Sequence, residues 1–154
     1  MEDKIIKESL SNAKTIAMVG VSSIKKEESS NIIRRPSIIV MKYLQEFGYR
    51  VIPVNPFSAG KEIYGETVVA KLEDIKIPID IVDVFRPSNE APLFAEETIQ
   101  IGAKVFWLQY GIQSDKAEKI VKSKNIVYIA NKCIKQEYQR LFLKVSPVFP
   151  ALKN

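Results

Sequence analysis

Apolar and polar positions along this chain follow two rhythms that together predict alternating strands and helices. Residues 2–13 put Ile5, Ile6 and Leu10 on one stripe, with Ala13 a turn further, as in a short amphipathic helix. Thr15-Ile16-Ala17-Met18-Val19-Gly20 follows without alternation, the pattern of a strand buried on both faces. Residues 21–35 are polar and charged and predict a long loop. Pro36-Ser37 then opens a helix, because proline in a first turn has no N–H to leave unbonded. That helix carries Ile39, Val40, Tyr43, Leu44 and Phe47 at helical spacing, and Gly48 closes it as a left-handed cap.

Residues 49–54 read as a second strand, ended by Pro56, which cannot continue a central ladder. Residues 57–66 read as a loop, 67–70 as a short strand and 72–75 as a helical turn. The run 79–85 is a further strand, interrupted by Asp80 and Asp83. A helix is expected from Ser88, as its N-cap, through Ile101, with Gly102 ending it. Residues 104–108 and 126–130 predict strands, separated by a helix that Ser114 caps and that runs to about Lys122. A last helix spans 134–142, and 143–154, with Pro147 and Pro150, reads as an extended tail. The alternation predicts one α/β domain over 1–154, with a core of about 12–142: a Rossmann-like, doubly wound, mostly parallel sheet with helices on both faces.

Composition narrows the chemistry. The 154 residues are 46% hydrophobic and 27% charged, an ordinary globular balance in a chain long enough to bury one core. Net charge is +5, which suits either a solvated surface or an anionic partner such as a phosphate compound. No basic run, zinc spacing or interleaved aromatics argue for nucleic acid. Zero histidines remove histidine-dependent triads and histidine-ligated metals. The single cysteine, Cys133, excludes an internal disulfide and fits a reducing compartment. No apolar stretch reaches membrane-helix length and no leader pattern is visible, so the expected location is the cytoplasm.

In a parallel sheet, ligands lie beyond the carboxyl ends of the strands. The residues there are Gly20, Val21, Ser22 and Ser23; Asn55 and Pro56; Phe85, Arg86 and Pro87; Gln109 and Gly111; and Asn131 and Cys133. They form a neutral polar and apolar rim suited to a flat base and a neutral arm. Gly20 allows close backbone approach. The helix start at Pro36 offers free N–H groups to a phosphate, with Lys25, Lys26, Arg34 and Arg35 around it. The three-glycine dinucleotide fingerprint is missing: Val-Ser-Ser follows Gly20, and no carboxylate ends the second strand. The glycine-rich Gly-Lys-Ser loop of nucleoside triphosphatases is missing too.

Five segments carry a resemblance. They are Met18-Val19-Gly20-Val21-Ser22 with Pro36-Ser37; the stretch from Tyr43 to Pro56; Asp80 to Arg86; Gly102 to Gly111; and Asn131-Lys132-Cys133-Ile134-Lys135. In this order they resemble the small CoA-binding domain family, over roughly residues 12–142, and are similar to the CoA-binding domain of the succinyl-CoA synthetase α chain. The resemblance implies coenzyme A, or an acyl-CoA, as ligand. It implies that the Gly20–Ser23 turn and the Pro36-Ser37 helix start hold the diphosphate, and Lys25 and Arg35, beside that entry, are counted with the binding residues on their charge. Val54, Asn55 and Pro56 would flank the adenine half, and Lys61 would meet a phosphate. Phe85, Arg86 and Pro87 would line the pantetheine arm. Gln109, Gly111, Asn131 and Cys133 would lie near its far end. The stretch between Gly20 and Pro36 is longer than the family pattern.

Three readings stand side by side. A CoA-binding module without catalysis comes first, since no nucleophile–base set emerges. An enzyme acting on CoA or a nucleotide, with thiol chemistry at Cys133, is the alternative; a buried inert cysteine is the plain account of that residue. A third is an interaction protein on a Rossmann scaffold. Asp83 reads as a satisfied structural carboxylate rather than a base, Trp107 and Phe106 as core, and Glu137 with Tyr138 as a polar pair. A homodimer is the expected assembly only because dimers are the commonest.

Overall fold

The computed structural model describes residues 1–22, 25–26, 32–33 and 36–144, the short pairs 25–26 and 32–33 in backbone only. Helix α1 spans Glu2–Asn12 and strand β1 spans Thr15–Val19. The segment expected to be loop contains a small antiparallel pair, β2 (Lys25–Lys26) with β3 (Ile32–Ile33). Helix α2 covers Pro36–Glu46 and β4 covers Arg50–Val54. A hairpin of β5 (Glu62–Ile63) and β6 (Glu66–Thr67) precedes a 3-10 turn at Leu72–Asp74. Then come β7 (Ile81–Val84), a 3-10 turn at Ser88–Glu90, α3 (Ala91–Ile101) and β8 (Val105–Leu108). The order closes with α4 (Asp115–Lys122), β9 (Val127–Ile129), α5 (Ile134–Tyr138) and a π-helical turn, Gln139–Leu143.

Five strands form one sheet in the order β4-β1-β7-β8-β9, every neighbouring pair parallel. Strand side chains alternate between the two faces, so each apolar run feeds two cores. Ile16, Met18, Ile81 and Trp107 face the layer of α1, α2 and α5, meeting Ile6, Leu10, Met41, Leu44 and Ile134. Ala17, Val19, Val82, Val84 and Phe106 face the layer of α3 and α4, meeting Ala91, Ala95, Ala117 and Val121. The doubly wound expectation therefore holds. Trp107 and Phe106 are core, and the indole N–H of Trp107 donates to the Lys132 carbonyl at 2.8 Å. The sheet order reverses about β1, which puts the crevice between the carboxyl ends of β1 and β7.

Several local expectations change. Ile39 is 45% exposed, and Ile38 and Met41 take its place in the core. Two residues of helix separate Ile39 from Met41, roughly 200° at 3.6 residues per turn, so both cannot face inward. Residues 67–70 do not form a strand of their own. Tyr64 and Gly65, both at positive φ, turn a hairpin, and Val69 makes an isolated bridge to Val54. Ser88 does not cap α3: it opens a 3-10 turn, and its Oγ accepts the Gln113 N–H at 3.1 Å. Helix α3 starts three residues later at Ala91, with Pro92 in its first turn. Glu137 pairs with Arg140, which reaches on to Asp3, while Tyr138 joins an aromatic cluster with Tyr43, Phe47 and Phe142. Of the expected tail, 145–154 lies outside the described residues.

The two strand carboxylates differ sharply. Asp80 Oδ2 accepts the N–H groups of Lys14 and Thr15, at 2.8 and 3.1 Å, and so caps the start of β1. Asp83 is 0% exposed between Met18 and Trp107, and neither of its oxygens has a hydrogen-bond partner among the described residues. It is not the satisfied group the sequence suggests. Burial pushes its carboxyl well above the usual range, because the low-dielectric interior disfavours the charge.

Among the described residues no helix is long and apolar enough to cross a membrane.

Candidate functional site

The loop after β1 is built to present backbone. Gly20 stands at φ +92°, where L side chains are strained, and its N–H donates to the Val54 carbonyl at 2.9 Å. Asn55 ties β4 to this loop: Nδ2 donates to the Val21 carbonyl at 2.7 Å, and Oδ1 accepts the Phe57 N–H at 2.8 Å. One short side chain thus fixes two turns, which explains why Asn and not a carboxylate follows β4. Val21 is fully buried behind the loop, and Ser37, buried in the first turn of α2, accepts the Ser22 N–H through Oγ at 3.1 Å.

Arg86 crosses in front of Gly20. A Cβ on Gly20 would stand 3.0 Å from Arg86 Cδ and 3.4 Å from the Phe85 carbonyl carbon. The guanidinium makes a two-pronged bond to Glu90, Nε to Oε1 at 3.0 Å and Nη2 to Oε2 at 2.7 Å. Bonding to Arg86 holds the Glu90 carboxyl below the usual carboxylate range.

A cleft of about 570 Å³ opens at this point. Of the residues expected from sequence, Gly20, Ser22, Val54, Asn55, Pro56 and Arg86 line it. Its other walls were not visible in the residues after the strands. Phe57, 93% exposed, and Ser58 extend the β4 end; Leu93, 59% exposed, and Phe94 come from α3; Lys71 precedes and Glu73 lies within the 3-10 turn after β6. The sequence signal for the α3 wall is an off-phase pair. The buried stripe of that helix is Ala91, Ala95 and Thr98, which leaves Leu93 and Phe94 turned elsewhere. Glu97 also faces the cleft, and burial, with the charge of Glu73 behind it, pushes its carboxyl up.

The remaining candidates among the described residues are not part of this cleft's lining. Gln109 is buried, and its Oε1 accepts the Ile134 N–H at 3.1 Å. Asn131, at φ +60°, accepts the Gly111 N–H at 2.7 Å through Oδ1. Both amides therefore tie the loops after β8 and β9 together. Cys133 is half-buried at the start of α5, packed like Phe85 against the core on the α2 and α5 side. Pro36 and Pro87 are exposed, and Lys61 is exposed beside the β5–β6 hairpin. Ser23 and Arg35 lie outside the described residues, and Lys25 is described in backbone only.

A second cavity, about 430 Å³, sits at the opposite end of the sheet, lined by Ile5, Asn12, Lys104 and Tyr128 among others. It lies at the amino ends of β8 and β9, away from the switch point where parallel sheets hold ligands. Among the described residues no cluster of acidic or cysteine side chains suits a metal ion.

The chain matches the family model described as CoA binding domain over residues 14–139. It is 41% identical over 130 residues to the uncharacterised protein YneT of Bacillus subtilis, covering 84% of this chain and 89% of that protein. A solved structure from Thermus thermophilus is 41% identical with a TM-score of 0.80, covering 92% of this chain and 100% of the other. A hypothetical protein from Pyrococcus horikoshii is 36% identical with a TM-score of 0.78, covering 92% of both chains.

Proposed function

The chain belongs to the CoA-binding domain family, and from that premise we propose that the cleft between Gly20, Asn55 and Arg86 takes coenzyme A or an acyl-CoA, in a protein that binds rather than transforms it. The observation that carries this reading is the meeting of Gly20 and Arg86 at the switch point. A glycine with no side chain and an arginine stem in contact leave backbone and guanidinium facing one opening, the combination a diphosphate needs. Beside it, Pro56, Phe57, Leu93 and Phe94 line the cleft with apolar surface, which suits a purine ring. The start of α2, an eleven-residue helix, lies against the same loop through Ser37 and Ser22.

The described cleft lining contains no cysteine and no nucleophile–base pair, which favours a carrier, sensor or regulator over an acyl-transfer enzyme. Calorimetry with CoA, dephospho-CoA, NAD and ATP tests the reading. Saturable CoA binding near micromolar, about −8 kcal/mol, is expected, with NAD and ATP weaker. Ligand-free protein that ignores CoA overturns it. Release of free thiol or hydrolysis of an acyl-CoA would move the reading to an enzyme.

A further inference from the structure

We propose that Glu90 is an internal competitor for the cleft's ligand: Arg86, bonded to Glu90, exchanges it for phosphate oxygen when the ligand enters. This rests on the CoA reading and adds the regulation of that site. Three observations carry it. First, the bond to Glu90 occupies Nε and Nη2, one of the two edges by which a guanidinium grips phosphate in two-pronged fashion. Second, both partners line the cleft, so the exchange needs no opening of the core. Third, among the described residues the cleft wall carries the carboxylates Glu73, Glu90 and Glu97 against the cations Lys71 and Arg86. A polyanion entering beside Arg86 meets these carboxylates, and Glu90 is the one of them that is bonded to the Arg86 guanidinium.

Glu90 is placed to withdraw. It ends the 3-10 turn Ser88–Glu90, which is held by the Glu90 N–H on the Pro87 carbonyl at 2.9 Å and by the Gln113 N–H on Ser88 Oγ. Movement of that turn is therefore passed to the loop between β8 and α4. Glu90 neutralises the Arg86 guanidinium, and the ligand must offer more than one carboxylate to take its place. A diphosphate does so; a compound with a single carboxylate or with no anionic group does not.

Calorimetric titration with CoA of the wild type, Glu90→Gln, Arg86→Gln and the double variant tests this. Removing an exposed ion-pair competitor is expected to tighten CoA binding about two- to fivefold in Glu90→Gln. Pantetheine, which has no phosphate, is expected to bind Glu90→Gln and wild type alike. Arg86→Gln is expected to bind CoA more weakly than wild type. In that background Glu90→Gln is expected to give a smaller gain, because there is no longer a guanidinium to release. Equal or weaker CoA binding by Glu90→Gln overturns the competitor and makes Glu90 a positioning residue for Arg86. An undiminished gain in the Arg86→Gln background overturns the exchange in favour of simple charge repulsion. If neither wild type nor Glu90→Gln binds CoA, the CoA reading itself fails and the exchange falls with it.

Discussion

The aliphatic stem of Arg86 occupies the space that a side chain on Gly20 would need, with Cδ 3.0 Å and Cγ 3.2 Å from the position of a Cβ. Gly20 is thus required twice, by its φ of +92° and by its neighbour. Gly20→Ala is expected to cost about 1–3 kcal/mol of stability from backbone strain. Because Arg86 must move as well, CoA affinity is expected to fall by more than the stability loss alone would cause. Urea denaturation and calorimetry on the same preparation separate the two effects.

Asn55 joins the loop after β1 to the turn after β4 through one amide. Asn55→Ala leaves the Val21 carbonyl and the Phe57 N–H without these partners. A loss of about 0.5–1.5 kcal/mol is expected, the net worth of a hydrogen bond at a site that water can partly reach. Asn55→Asp keeps the acceptor for Phe57 but turns a carboxylate oxygen toward the Val21 carbonyl, so it is expected to rescue only part of that loss. Denaturant midpoints of the two variants give the comparison.

Leu93 is 59% exposed and lines the cleft. Leu93→Asn is expected to shift stability by less than about 0.5 kcal/mol, as exposed substitutions do. It is expected to weaken CoA binding several-fold through lost apolar contact. Unchanged affinity would remove α3 from the site.

Asp83 gives a pH prediction whose sign is fixed by the direction of its shift. Burial raises its carboxyl in the folded protein, so the folded state keeps its proton to higher pH than the unfolded chain, which releases it near 4. Across that window the folded state binds more protons, and the Asp83 contribution to stability is full below about pH 4 and is lost as pH rises toward the folded value. Asp83→Asn is expected to flatten this part of the profile. Thermal melts of both proteins between pH 4 and 8 measure it, and parallel profiles would contradict the assignment.

How much of this was readable beforehand depends on the range of the interaction involved. The main strands and the helices between them were legible because each fills a core with its own contiguous residues, as Ile16–Val19 and Ile81–Val84 do. The inner stripe of α2 is legible at Val40 and Leu44 but not at Ile38 and Met41, because residues 38 to 41 are apolar in every position and only the sheet decides which face it. Part of the cleft follows from the rule that ligands lie after the strands, which finds Gly20, Ser22, Asn55, Pro56 and Arg86. Another part, Lys71, Glu73, Leu93, Phe94 and Glu97, comes from a turn and a helix whose meeting is purely tertiary. The amides of Gln109 and Asn131 looked like ligand groups, but their bonds to Ile134 and Gly111 depend on loop geometry that no local pattern encodes.

The most direct test of the central claim is a CoA titration of isotope-labelled protein followed by amide NMR. The account predicts saturable shifts at Gly20, Ser22, Phe57, Glu90 and Leu93, with Asn12, Lys104 and Lys122 around the opposite cavity unmoved. Shifts confined to those latter residues, or no shifts at all, would contradict it.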